Sequence, residues 1–226
     1  MRLLAIGDIH GCCSALTALW RIVAPSERDT VVFLGDYVDR GPESRQVLDL
    51  LVAEAARPNR IFLRGNHEIM MLHAAENPFH ADSWKDCGGL ETLMSYGVRG
   101  GHDWPSKIPD AHWNFIQATV PYFETEKHLF VHACLDAELD LKEQMEDMLY
   151  WQTFEQLWPH KSGKKVVCGH TTLADGKIAD VEYGVCLETA VAYGGWLLPG
   201  RPLRRVLAIH SGARNPHRQN VGVPFC

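Results

Sequence analysis

The chain has 226 residues, 46% of them hydrophobic, and a formal net charge of −6; this allows one domain with a substantial core and argues against general nucleic-acid binding. Its seven cysteines are irregularly spaced and include no CxxC pair, which excludes a disulfide framework and a structural zinc site as organising elements. Met1 to Ile6 runs directly into Gly7-Asp8 without a leader-like segment, and about eighteen apolar residues never run together, so the expectation is a cytoplasmic protein with no membrane span.

In chain order, Leu3 to Ile6 predicts a strand, Ser14 to Val23 a helix and Thr30 to Leu34 a strand. Glu43 to Ala56 predicts a second helix and Arg60 to Leu63 a third strand. That βαβαβ rhythm implies parallel strands with crossover helices. Each strand leads into a polar turn: Gly7-Asp8-Ile9-His10-Gly11, Gly35-Asp36 and Gly65-Asn66-His67-Glu68. Such turns lie at the carboxyl ends of strands in α/β sheets, where ligands are bound. From Met70 to about Val120 the pattern is helical but broken by Pro78, Gly88-Gly89, Gly97, Pro105 and Pro109. With Trp84, Trp104 and Trp113 it reads as a helical insertion, a cap with a tryptophan core. Strand signals return at Tyr122-Phe123, Leu129 to His132, Lys165 to Cys168, Gly184 to Leu187 and Leu203 to Ile209, which predicts a second, mixed sheet packed on the first. One domain is expected over residues 1–210 and a tail over 211–226. Arg201, Arg204, Arg205, Arg214 and Arg218 follow Pro199 without an acidic residue and read as a solvated terminal strand and tail.

The chemistry gathers at the strand ends. Asp8 and His10 stand two apart, and an extended chain there projects both to one side. A carboxylate and an imidazole so placed suit a first-row divalent metal. Asp36 ends the next strand, and its two oxygens can bridge two ions. Asn66 offers an uncharged amide oxygen, while His132 and His170 each follow an apolar run. A thiol-free set of oxygen and nitrogen donors fits manganese, iron or zinc. His73, His80, His102, His112, His128 and His160 read as structural, and Glu68 as a supporting or helix-start residue.

Gly7-Asp8-Ile9-His10-Gly11, Gly35-Asp36-Tyr37-Val38-Asp39-Arg40-Gly41 and Gly65-Asn66-His67-Glu68 resemble the three signature blocks of the phosphoprotein phosphatase family of calcineurin-like metallophosphoesterases. Val131-His132-Ala133 and Gly169-His170-Thr171 resemble its two later histidine motifs. Gly88-Gly89-Leu90-Glu91-Thr92-Leu93 with Ser95-Tyr96-Gly97 is similar to the compact bacterial serine/threonine protein phosphatase branch. The resemblance implies an α/β fold, a four-layer α/β/β/α sandwich. It also implies that Asp8, His10 and Asp36 hold one divalent ion and that Asp36, Asn66, His132 and His170 hold another, with manganese first and iron or zinc as alternatives. Two cations about 3.5–4 Å apart lower the pKa of a bridging water and orient it for in-line attack. Arg40 and Arg64 then bind phosphate oxygens. His67 protonates the departing alkoxide and Asp39 orients it, so transfer goes directly to water with no phosphoenzyme. The implied substrate is phosphoserine or phosphothreonine in proteins, phosphotyrosine or another small phosphoester; neither nucleic acid nor membrane is expected as a partner.

Two positions depart from the family pattern. Gln152, in Tyr150-Trp151-Gln152, stands where a phosphate-clamping arginine is common. Cys134 replaces a usual glycine and, with Cys12, raises the question of an oxidisable thiol near the metals. The missing arginine keeps open a symmetrical dinucleoside tetraphosphate hydrolase as a second reading. Glu68 at the end of the third block and the complete Gly-Asp-x-Val-Asp-Arg-Gly favour the phosphatase. A metal-holding protein without turnover is a third reading, since fold likeness alone does not exclude it.

Overall fold

Strands that are apolar on both faces need cover on both sides, and the two sheets of this protein supply it. The structure, a computed structural model, describes residues 1–99, 101, 103–172 and 178–193. Strands β1 (Leu3–Ile6), β2 (Thr30–Phe33) and β3 (Arg60–Phe62) pair in parallel in the order β1-β2-β3. Helices α1 (Cys13–Val23) and α2 (Ser44–Ala55) are the crossovers. The second sheet takes β4 (Tyr122–Glu124), β5 (His128–Val131), β6 (Lys165–Cys168), β7 (Ala179–Val181) and β8 (Gly184–Cys186) in the order β4-β5-β6-β8-β7. Its inner strands β5, β6 and β8 are parallel, while the edge strands β4 and β7 are antiparallel to their neighbours.

Alternation along each strand sorts its residues between layers. Ala5, Val32 and Leu34 of the first sheet meet Phe130, Val167, Val185 and Leu187 of the second in one buried cluster between the sheets. The intervening residues Leu4, Ile6, Val31 and Phe33 face α1 and α2, packing with Leu16, Leu48 and Leu51. On the far side, Leu129, Val131, Val166 and Cys168 pack with Leu149, Tyr150 and Phe154, contributed by α7 (Glu146–Trp151) and the turn after it. This period of two gives four layers, with a helical layer outside each sheet.

The insertion runs through α3 (Asn66–Glu76), α4 (Ala81–Trp84), a wide turn over Lys85–Gly89, α5 (Leu90–Ser95) and α6 (Asp110–Gln117). Trp84 and Trp104 are 1% and 3% exposed and stack at 4.8 Å between centroids, with Trp113 tilted against Trp104. They join the same cluster as α1 and α2, so the expected tryptophan core of the insertion is continuous with the main core.

Two expectations need correction, and two elements were not expected. Gly65 to Glu68 is not a turn: Gly65 caps α3 and Asn66, His67 and Glu68 are its first helical residues. Asp8 to His10 is not extended, because His10 has φ 43°. Strand β7 and helix α7 were not expected, being short and half exposed. The strand expected over Leu203 to Ile209, the tail arginines and His102 lie outside the described residues. No helix among the described residues is long and apolar enough to cross a membrane.

Candidate active site

The carboxyl ends of β1, β2, β5, β6 and β8, together with the start of α3, open on one place. The chain turns sharply there, and His10, Asp36, Asp39, Arg40 and His170 all have φ between 43° and 72°. Left-handed backbone at non-glycine residues costs about 1–3 kcal/mol each and persists only where surroundings enforce it. The turns are bolted together by Asp36 O, which accepts from the N–H groups of Ile9 and His10 at 2.9 and 2.8 Å. That bond, rather than an extended chain, brings His10 beside Asp8 and Asp36.

Glu68 provides a second bolt. Its carboxylate is fully buried and accepts from the N–H groups of Asp36 (2.8 Å), Tyr37 (2.8 Å) and Gly65 (3.0 Å). Burial, then the nearby Asp36 charge, pushes its pKa up to about 7. Tyr37 completes the frame by donating its hydroxyl to Leu63 O at 2.6 Å. Glycine is required at 65 and 169 for closeness: a Cβ there would collide with Asp36 Oδ1 and Asp8 Oδ1 respectively. We expect Glu68→Ala to leave three buried N–H groups unpaired, each costing about 1–3 kcal/mol. A fall in Tm on the order of 10 °C or more follows for a chain of this size, measured by differential scanning calorimetry.

The predicted ligands converge. His10 Nε2 lies 3.5 Å from Asp36 Oδ2 and 3.9 Å from Asp8 Oδ2; His132 Nε2 lies 3.4 Å from Asp36 Oδ1. Asn66 Oδ1 stands 3.0 Å from His132 Nε2 and 3.1 Å from His170 Nδ1. Asp8 is held by the His170 N–H, at 3.1 and 3.0 Å from its two oxygens. Donor atoms of His10, Asp36 and His67 fall within 4.8 Å of one another, as do those of Asp36, His132 and His170. Asp36 therefore belongs to both groups.

Two observations test whether divalent metals fit this donor set. The far ring nitrogens of His10, His132 and His170 face the carbonyls of Val38 (3.0 Å), Leu34 (2.8 Å) and Trp151 (3.3 Å). Each must donate its N–H there, which leaves the near nitrogen as a lone pair aimed into the cluster, the tautomer a metal ligand needs. The lone pairs of His132 and His170 face Asn66 Oδ1 and repel it unless a cation is shared, while that of His10 accepts from Arg40 Nη1 at 2.8 Å. The charges agree. Asp8, Asp36 and Glu188 are all buried, and Asp8 is pushed well above the usual range by burial, then by Glu188 and Asp36. Burial also opposes ionisation of Asp36, but the surrounding imidazoles of His132, His67, His10 and His170 outweigh it and hold that carboxyl low. Burial lowers His10, His132 and His170, the last to about 4, so all three are neutral donors near pH 7. The donor set fits two divalent cations.

His67 differs from the other three. Its Nδ1 pairs with Asp39 Oδ2 at 2.8 Å, and its Nε2 is buried without a hydrogen-bond partner among the described residues, 4.0 Å from Asp36 Oδ2. Burial disfavours its charge, but Asp36 and Asp39 raise its pKa above the usual histidine value. It has the reach of a ligand and the charge preference of a proton donor.

The two arginines are placed differently. Arg40 Nη1 donates to His10 Nε2 at 2.8 Å, and its guanidinium lies over the exposed Tyr193 ring. Arg64 is not brought into the cluster: its Nε bonds Thr119 Oγ1 and its Nη2 bonds the carbonyls of Gln117 and Thr119. Gln152 donates to Asp147 Oδ2 at 2.9 Å and adds no charge near His170. Cys12 and Cys134 are no reactive thiolates, since burial pushes them up to about 12 and 11.

Glu188 was missed at the sequence level. It follows the β8 run Gly184-Val185-Cys186-Leu187, the pattern that marked Asp8 and Asp36, so the signal was present. Its Oε1 accepts the Ala190 N–H at 2.6 Å, and burial pushes it up to about 7.

Over 77 residues the chain is 44% identical to a symmetrical bis(5'-nucleosyl)-tetraphosphatase of Delftia acidovorans, covering 34% of this chain and 27% of that protein. Over 65 residues it is 48% identical to a Schizosaccharomyces pombe protein provisionally named a serine/threonine-protein phosphatase, covering 28% and 21%. The matched part thus spans about a quarter of the length of these curated relatives. A serine/threonine phosphatase structure from Saccharomyces cerevisiae superposes with TM-score 0.57 at 17% identity, covering 96% of this chain and 85% of that one, which is a likeness of fold. Calcineurin-like phosphoesterase is the family description that matches, over residues 1–209, and the chain belongs to that family.

Proposed function

We propose that this protein is a metal-dependent phosphatase that hydrolyses phosphomonoesters, foremost phosphoserine and phosphothreonine in proteins, by direct transfer to water. The observation that carries the reading is Asp36, whose carboxylate is common to both donor groups while the His67–Asp39 pair stands beside it. Asp8, His10 and Asp36 would hold one ion, and Asp36, Asn66, His132 and His170 the other. Two divalent ions, manganese or alternatively iron or zinc, supply charge neutralisation and lower the pKa of water. The chain's own residues do the rest. Arg40, already within the cluster, binds phosphate oxygens with its planar fork. Arg64, the second expected clamp, would have to leave its bonds to Gln117 and Thr119 to join it. His67 delivers a proton from Nε2 to the leaving oxygen, and Asp39 keeps Nδ1 as the bonded nitrogen.

Symmetrical hydrolysis of dinucleoside tetraphosphates is the second reading. It is supported by the Delftia acidovorans relative and by Gln152, which is bonded to Asp147 and gives no extra clamp for a phosphomonoester dianion. Product analysis with manganese-loaded protein, offered a phosphoserine peptide and diadenosine tetraphosphate together, separates the two. Phosphate from the peptide with the dinucleotide intact is the expected result. Preferential conversion of the dinucleotide to ADP would transfer the assignment to the second reading.

A further inference from the structure

Asp39 is where the helical insertion meets the site. Its Oδ2 is shared between His67 Nδ1 and the indole N–H of Trp84, each at 2.8 Å, and its Oδ1 accepts the Thr92 hydroxyl at 2.7 Å. The Thr92 oxygen accepts the Asp39 N–H at 2.8 Å in return. One residue on, the Arg40 N–H donates to Gly88 O at 3.0 Å. Trp84, Gly88 and Thr92 come from α4, the wide turn and α5, so every one of these contacts is made by the insertion. All four side chains, Asp39, His67, Trp84 and Thr92, are buried at 1% exposure or less.

Core packing explains the stacking of Trp84 on Trp104 but not where its N–H points. A buried indole must find an acceptor, and the acceptor here is the carboxylate that already holds His67. The terminal torsion of aspartate is soft, so a carboxylate held by one imidazole alone can rock, and the ring rocks with it. Donors from two separate helices remove that freedom. We propose that Trp84 and Thr92 are positioning residues for the reaction: through Asp39 they fix the His67 ring so that Nε2 stays aimed at the Asp36 side of the cluster, where the leaving oxygen is protonated. This rests on His67 being the general acid.

Thr92→Val removes the hydroxyl at nearly constant volume, Thr92→Ser restores it, and Trp84→Phe removes the indole N–H from the other oxygen; His67→Ala runs alongside. Two readouts are taken. One is kcat and KM for an alkyl phosphate and for nitrophenyl phosphate, whose leaving group needs little protonation. The other, made on metal-free protein, is the downfield proton resonance of His67 Nδ1–H, assigned by its loss in His67→Ala. For Thr92→Val we expect kcat on the alkyl ester to fall about tenfold or more while KM stays within about twofold and nitrophenyl turnover falls less than about threefold. The resonance should shift or broaden, Thr92→Ser should recover both readouts, and Trp84→Phe should move both in the Thr92→Val direction. Should Thr92→Val fail to fold, Trp84→Phe carries the comparison. Equal losses on the two substrates, or an unmoved resonance, with His67→Ala still selective for the alkyl ester, would overturn the positioning role and leave the acid assignment standing. A His67→Ala protein that loses both substrates equally would overturn the acid assignment and the positioning role together.

Discussion

Asp36→Asn is expected to reduce turnover on the order of 10³-fold or more, because one carboxylate serves both donor groups. Each of its oxygens faces a different histidine, Oδ2 toward His10 and Oδ1 toward His132. The amide keeps one oxygen and turns an NH2 toward the other imidazole lone pair, so one position loses a ligand oxygen and its imidazole nitrogen is taken up by an N–H···N hydrogen bond. It also removes a negative charge from each ion. Loss of several kcal/mol of transition-state charge stabilisation, at about 1.4 kcal/mol per tenfold, gives a factor of that size. Metal content by mass spectrometry should fall below two ions per chain in the same preparation. A variant that keeps two ions and wild-type kcat would remove Asp36 from the bridging role. The fold should survive, since the main-chain bonds of Asp36 to Glu68, Ile9 and His10 do not involve the side chain.

His67→Ala is expected to act on the leaving group. General acid assistance contributes about 10²–10⁴-fold, and that factor should be lost on alkyl phosphates such as phosphoserine. Nitrophenyl phosphate should lose less than about tenfold, because nitrophenolate departs without a proton. The structure gives the reason for choosing His67 among four candidate histidines. His10, His132 and His170 commit their far nitrogens to main-chain carbonyls, whereas His67 commits its own to a buried carboxylate. Of the four, His67 is the one hydrogen-bonded to a carboxylate and the one whose pKa is raised, burial outweighing Asp36 at the other three. Steady-state kcat on both esters decides the matter; a drop of equal size on each would exclude the acid role.

Most of the sheet framework was legible because β1, β2, β5, β6 and β8 are apolar on both faces and end in polar residues. A chain that writes Val-Val-Phe-Leu-Gly-Asp has little choice of structure or of which end carries the chemistry. The candidate donors Asp8, Asp36, His132 and His170 were legible for the same reason, each being the first polar side chain after a buried run, whereas His10 follows Asp8 and Asn66 follows Arg64. Glu188 follows that rule too and was overlooked because no later histidine motif pointed at it. The bond network of the insertion was not legible. Trp84 and Thr92 reach Asp39 only because a wide turn with Gly88 at φ 112° sets α4 and α5 at the angle that aims both donors at one carboxylate. Periodicity registers the apolar face of Trp84 and is blind to the direction of its N–H. The reach of Glu68 across 32 residues to the Asp36 N–H is likewise a property of packing, although its place in the first turn of a helix could be anticipated.

The most direct measurement is a metal titration of chelator-stripped protein, following phosphate release from nitrophenyl phosphate together with bound metal per chain. Turnover should be absent in the stripped protein and should rise with added manganese to a plateau at two ions per chain. Full turnover without divalent metal, or none with two ions bound, would contradict the assignment of Asp8, His10, Asp36, Asn66, His132 and His170 as the ligands of a phosphoesterase centre.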